Sequence, residues 1–209
     1  MRLVLASGNA RKLAELAALF APLGIGLVSQ AALGIGEADE PHATFIENAL
    51  AKARHAARAA GCAALADDSG LCVVALGGAP GVVSARFAQL AGSGDDTSTD
   101  AAGRDAANNA LLLKRMHGMA DRRARFVSVL VAVRGVDDPE PLVATGRWDG
   151  VLLEAPRGIG GFGYDPLLRI AALDRSVAEL DAATKNRYSH RALAAARMLA
   201  LMRGHWLHG

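Results

Sequence analysis

The stretch Ala66-Asp67-Asp68-Ser69-Gly70-Leu71 places two adjacent carboxylates and a Ser-Gly pair between apolar segments, residues 63–66 before it and 71–76 after it. The flanks read as a buried strand that the acids interrupt. Neighbouring side chains on an extended segment point to opposite faces, so Asp67 and Asp68 are expected to do different jobs. Like charges this close in apolar surroundings raise each other's pKa unless cations or hydrogen-bond donors answer them. A divalent ion such as Mg²⁺ or Mn²⁺ answers both acids at once, because hard cations take oxygen ligands. Asp, Ser and Gly are equally good turn residues, so turn and metal site both stay open on this stretch alone.

Toward the N-terminus, Arg2-Leu3-Val4-Leu5-Ala6 has a strand pattern and runs into Ser7-Gly8-Asn9-Ala10-Arg11-Lys12. Leu13, Leu16, Ala17 and Phe20 follow at helical spacing. A strand entering a helix through such a loop suits an anion, which would meet loop amides, the positive helix end and the Lys12 charge. The spacing is not that of a Walker A loop. The plain alternative is that Ser7 or Asn9 caps the helix and Lys12 is solvated. Pro22-Leu23-Gly24 stops this helix, residues 25–28 make a second strand, and a polar loop over 34–43 carries Glu37, Asp39 and Glu40. Thr44-Phe45-Ile46-Glu47 is a capping box, and the helix it starts is expected to run to Ala60, where Gly61 ends it. Ile46, Ala49, Leu50 and Ala53 give it an apolar face. Asn48, Lys52 and His55 give it a polar one, from which Lys52 could point toward the carboxylates.

Toward the C-terminus, residues 77–81 form a tight reversal, and Arg86 in Ser84-Ala85-Arg86-Phe87 is a candidate anion ligand. Residues 92–104 read as an exposed loop, and 106–116 as a helix with Ala107, Ala110, Leu111 and Met116 in the core. Lys114, Arg115, His117, Arg122, Arg123 and Arg125 form the densest basic run. No aromatic platform interleaves with it, so it reads as a solvated face with no nucleic acid as partner. Residues 126–133 and 142–148 are strand-like and joined by a turn, an antiparallel pair that implies a mixed sheet. Gly158-Ile159-Gly160-Gly161-Phe162-Gly163-Tyr164-Asp165-Pro166 is a second glycine-rich loop, and its aromatics among glycines point to a ligand. Ser176-Val177-Ala178-Glu179 resembles another capping box. Lys185, Arg187, His190 and Arg191 gather at the start of a final helix that Ser189 can cap and that ends near Gly204. Cations there oppose the helix dipole unless an anion is bound.

Length and composition bound these readings. The 209 residues suit one domain, spanning 1–209, with a full core. At 52% hydrophobic and 4% aromatic, the chain is far from disorder and fits a helix-rich α/β protein. A net charge of +2 is too small to announce a nucleic-acid binder, although it would not repel a polyanionic small molecule. No apolar run approaches a membrane span and the N-terminus is not a signal peptide, so a cytoplasmic protein with no membrane partner is expected. Cys62 and Cys72 lack metal-ligand spacing and read as small buried thiols.

The order of these motifs resembles the inosine/xanthosine triphosphate pyrophosphatase family along nearly the whole chain. The resemblance rests on Ser7-Gly8-Asn9 with Lys12, on residues 44–49 with Lys52-Ala53, and on Ala66-Asp67-Asp68-Ser69-Gly70-Leu71. It continues through Gly78-Ala79-Pro80-Gly81-Val82 with Ser84-Ala85-Arg86, through Gly161-Phe162-Gly163-Tyr164-Asp165-Pro166, and through Ser189-His190-Arg191. It implies an α/β fold with a long mixed sheet flanked by helices, two lobes with the active site in the cleft between them, and a homodimer. It also implies Mg²⁺-dependent hydrolysis of ITP, dITP and XTP to the monophosphate and pyrophosphate. Ser7, Gly8, Asn9, Ala10, Arg11 and Lys12 would form the triphosphate loop, with Lys52 as a second clamp. Glu40 and Asp68 would hold Mg²⁺, with Mn²⁺ as a substitute. Asp68, or Asp67 if the two are reversed, would take the proton from the attacking water, with Ser69 touching substrate. Phe162, Gly163, Tyr164 and Asp165 would line the base pocket, and Lys185, His190 and Arg191 would hold the phosphate-proximal and purine parts. Arg11, Leu167-Leu168 and Thr184 depart from the family's usual residues, and none of them is an implied metal ligand. Two other readings of the same motifs are a pyrophosphatase for pyrimidine or modified nucleotides and a nucleotide-binding module without turnover.

Overall fold

The computed structural model describes residues 2–92 and 100–206. Seven strands form one sheet in the order β2-β1-β3-β4-β5-β6-β7: β1 (Arg2–Leu5), β2 (Gly26–Ser29), β3 (Ala64–Val73), β4 (Arg123–Val133), β5 (Leu142–Leu152), β6 (Leu168–Ile170) and β7 (Arg175–Ser176). β1 is parallel to both β2 and β3, whereas β6 is antiparallel to β5 and β7. The sheet is mixed, as the strand patterns predict. Parallel neighbours need a crossover, and helices supply it. α1 (Ala10–Phe20) joins β1 to β2 and α2 (Phe45–Ala60) leads into β3; α3 (Phe87–Leu90), α4 (Ala101–Arg115), α5 (Ala182–Tyr188) and α6 (His190–His205) follow.

The chain divides into two compact units, Met1–Asp68 with Ser128–Arg147 and Asn186–Gly209, and Ser69–Val127 with Trp148–Lys185. Each has its own core. Leu5, Phe20, Leu65, Leu130 and Met198 are central to the first, and Leu71, Phe87, Leu112, Trp148 and Leu167 to the second. In the first unit β5 reaches α6 through Gly146. A Cβ there would collide with the His190 carbonyl and lie 2.6 Å from the Ala194 amide nitrogen, so only glycine lets the start of α6 come this close.

Caps legible in the sequence set the helix ends. Asn9 caps α1, accepting the Arg11 and Lys12 amides at 3.0 and 3.2 Å. Thr44 caps α2, and Gly61, at φ +64, ends it. Ser189 caps α6, and Ser176 with Glu179 completes the second capping box.

Several expectations are corrected. The acidic stretch is neither a turn nor an interruption, because β3 runs through it from Ala64 to Val73. Flanking burial holds the backbone extended, and partners from other elements answer the acids. α4 starts at Ala101 rather than 106, with Asp100 accepting the Gly103 amide at 2.8 Å, so the loop reading of 101–104 fails and that of 93–99 lies outside the described residues. Ala110 is exposed, and Leu112 takes its place in the core. On α2, Ile46 is exposed while Asn48 is buried, its amide paired both ways with the His42 backbone at 3.0 and 3.1 Å. Cys62 is exposed beyond the end of α2, not buried. Within the basic run Arg122 is not solvated; it donates to the Leu152, Leu153 and Met116 carbonyls.

Candidate active site

β3 carries Asp67 and Asp68 to opposite faces of the sheet in the first unit. The side chain of Asp67 is fully buried. It receives the Lys12 ammonium at 3.0 Å, the Ser128 hydroxyl at 2.7 Å and the Arg191 guanidinium at 3.4 Å. Burial alone would push this carboxyl up, but Lys12, Arg191 and the Ser128 hydrogen bond together hold it far below the usual carboxylate range. Arg191 is buried and is also clamped by Glu15 of α1. Asp67 is a saturated anion that fixes two cations from α1 and α6.

Asp68 meets a different surrounding. Lys52 of α2 reaches its Oδ1 at 2.9 Å and, with the same nitrogen, Glu40 Oε1 at 2.7 Å. Its Oδ2 is buried and makes no hydrogen bond. Burial raises the Asp68 carboxyl above its ordinary value, and the lysine offsets this only in part. For Lys52, burial is outweighed by Asp68 and Glu40, and the ammonium is held more tightly protonated than usual. An orphaned carboxylate oxygen beside a second, partly open carboxylate suits a hard divalent cation. Among the described residues no cluster of three or more His, Cys, Asp or Glu could hold a metal. Two carboxylates fit Mg²⁺ in the form where substrate phosphates and water complete its shell.

The loop at 7–12 begins where β1 ends, next to β3. Ala6 donates to the Leu65 carbonyl at 2.8 Å, and the Ser7 hydroxyl accepts the Asn9 amide at 3.1 Å. Gly8, Asn9, Ala10 and Arg11 are exposed. The capping reading holds for Asn9, but the solvated reading fails for Lys12. Its side chain is only 17% exposed, and burial lowers its affinity for the proton despite Asp67, with Arg191 and Lys52 adding to the lowering. A close-held lysine beside an exposed loop at a helix N-terminus is an arrangement for phosphate.

In the second unit, Phe162, Tyr164, Asp165 and Lys185 form another constellation. Asp165 Oδ2 accepts the Phe162 amide at 3.0 Å and the Lys185 ammonium at 2.7 Å, and Lys185 lies 4.6 Å from the centre of the Phe162 ring. Tyr164 is buried and donates its hydroxyl to the Ser84 carbonyl at 2.9 Å. Phe162 and Gly163 are partly open, while Tyr164 and Asp165 act as braces beneath them. Ser69, half-buried, is the first residue of this unit along β3. Arg86 lies exposed in the 3₁₀ turn after Pro80. Gly70 has no room for a side chain: a Cβ would collide with the Gly81 carbonyl and lie 2.5 Å from Ser84 Oγ. That hydroxyl accepts the Leu71 amide at 2.9 Å and donates to Gly81 at 2.6 Å.

Sequence reasoning missed Ser128 and Glu15. Ser128 is the single polar residue in the run Phe126–Val133, which is a readable signal, since a buried hydroxyl needs a partner. Glu15 follows Lys12 by three positions and so shares its helix face.

A model of the Ham1 family matches residues 3–201. The chain is 67% identical over 207 residues to the dITP/XTP pyrophosphatase of Methylibium petroleiphilum, covering 99% of this chain and 100% of that one. A solved HAM1 protein from Coxiella burnetii superposes with a TM-score of 0.85 at 38% identity, over 98% of this chain and 99% of that one. A nucleoside-triphosphatase described as dITP/XTP pyrophosphatase from Mycobacterium abscessus gives 0.70 at 40% identity, over 94% and 98%.

Proposed function

Since the chain belongs to the Ham1 family, we propose that it hydrolyses ITP, dITP and XTP to the monophosphate and pyrophosphate, keeping these non-standard purines out of nucleic acids. The observation that carries this reading is the division of labour on β3, where one acid is saturated by cations and its neighbour keeps an unbonded oxygen.

In the reaction, water attacks the α-phosphorus and pyrophosphate leaves. Asp68 is assigned as the proton acceptor for that water. Its raised proton affinity suits a general base better than that of Asp67, whose proton affinity is held too low. Lys12, with the exposed loop of residues 8–11, receives the triphosphate, and Lys52 sets the approach of its charged end beside Asp68. Asp67 and Ser128 act by orienting Lys12 and Arg191. Glu40 and Asp68 are assigned as the Mg²⁺ ligands. When bound, the ion would neutralise charge that builds on the departing pyrophosphate.

The purine is assigned to the Phe162 ring. Lys185 covers one face, so a base would stack on the other. His190 and Arg191 are the donors nominated for the oxygen at purine position six, which adenine replaces with an amino group. A buried mispaired donor costs about 1–3 kcal/mol. Arg191 is engaged by Asp67 and Glu15. A cytoplasmic homodimer, the family's usual state, is proposed as well. No helix of the described residues is long and apolar enough to cross a membrane.

The test is pyrophosphate release from ITP, dITP, XTP, ATP, dTTP and UTP, each with and without Mg²⁺. Release from the first three, only with Mg²⁺, is expected. ATP turnover equal to ITP would sink the base selection, and preference for dTTP or UTP would reassign the substrate class.

A further inference from the structure

α4 holds the backbone of Gly163 from both sides. Asp105 Oδ2 accepts the Gly163 N–H at 2.8 Å, and Asn109 Nδ2 donates to the Gly163 carbonyl at 3.0 Å. The two residues are four apart on one helix and therefore stand on the same face. Gly163 sits at φ +62, a conformation that few residues other than glycine adopt and that local sequence does not enforce. Its neighbours are anchored elsewhere, Phe162 through its amide to Asp165 and Tyr164 through its hydroxyl to Ser84. Gly163 is the hinge between these anchors, and the α4 pair removes its freedom. The Asn109 Oδ1 is buried and makes no hydrogen bond, so this position is used for its donor and not for its acceptor.

We propose that Asp105 and Asn109 are positioning residues for base recognition: they lock the peptide groups flanking Gly163 and so fix the direction in which Phe162 offers its ring. This rests on the assignment of Phe162 to the purine. A helix that merely stabilised the unit would need bulk at these positions. The clamp needs an acceptor at one and a donor at the other. Asp105→Asn keeps an acceptor oxygen for the Gly163 N–H. Asn109→Asp keeps the shape, loses the donor and sets a carboxylate against a carbonyl.

Three readouts test this. With ITP, Asn109→Asp and Asp105→Ala should raise KM by roughly tenfold with kcat within about threefold of the parent, while Asp105→Asn stays within about threefold in both. Competitive inhibition by inorganic tripolyphosphate, which has no base, should be unchanged in all three. In nucleotide-free protein, the Gly163 amide should exchange with solvent faster in Asp105→Ala and remain protected in Asp105→Asn. Equal damage from the two isosteres, a parallel loss of tripolyphosphate inhibition, or unchanged Gly163 exchange in Asp105→Ala would each overturn the clamp. Failure of the parent protein to hydrolyse ITP would instead remove the functional reading, and amide exchange would still judge the clamp.

Discussion

Asp67 and Asp68 are consecutive residues of one strand, yet they have opposite surroundings. Asp67 faces α1 and α6 and is saturated by an ammonium, a guanidinium and a hydroxyl. Asp68 faces α2, shares a single lysine with Glu40 and leaves an oxygen unbonded. A strand separates what the sequence joins: the period of two sends neighbours to different faces, and the helices packed there decide their chemistry. One acid builds the scaffold and the other is left able to react.

The largest expected effect falls on the scaffold side. Asp67→Ala strands buried Lys12 and Arg191 and should cost about 3–5 kcal/mol of stability, read by denaturant unfolding. A loss under 1 kcal/mol, in the range of surface substitutions, would erase the contrast. On the reactive side, Asp68→Asn should lower kcat by roughly two decades or more, with nucleotide binding still measurable and far less destabilisation than Asp67→Ala. Turnover near that of the parent would take Asp68 out of the mechanism. Ser128→Ala removes one hydrogen bond to an ionised group and should cost about 1.5–3 kcal/mol. The same change in an Asp67→Ala background should cost less, because the acceptor is gone.

A control lies outside the site. Asp138 is drawn down to about 2 by the hydrogen bond from Arg134, against the opposing effect of its burial. Its folded pKa is below its unfolded value, so the stability it contributes is present above about pH 4 and lost as pH falls toward 2. Arg134 is half exposed, which screens the pair, so about 1 kcal/mol is expected. Asp138→Asn should flatten that limb of the stability curve. If it does not, the acid sensitivity lies elsewhere.

What was legible in the sequence follows from the range of the forces involved. Thr44 and Gly61 bound α2 because capping is local, and the mixed sheet follows from strand patterns a few residues long. The fates of Asp67 and Lys12 were not legible, because each is fixed by the other across more than fifty positions, with Ser128 and Arg191 more distant still. Phe162 to Asp165 read as one ligand-facing loop. Only packing separates the partly open ring from the buried braces, since aromatic and acidic side chains can serve either purpose.

Lys52 holds Glu40 and Asp68 together through one nitrogen, and this bears on what happens when divalent ions are withdrawn. An internal cation already answers the mutual repulsion of the two acids. Loading an ion would then be an exchange of partners within a standing framework, not the assembly of one. A chelator should silence the enzyme while its melting curve barely moves, and adding the ion back should restore turnover with no slow refolding phase.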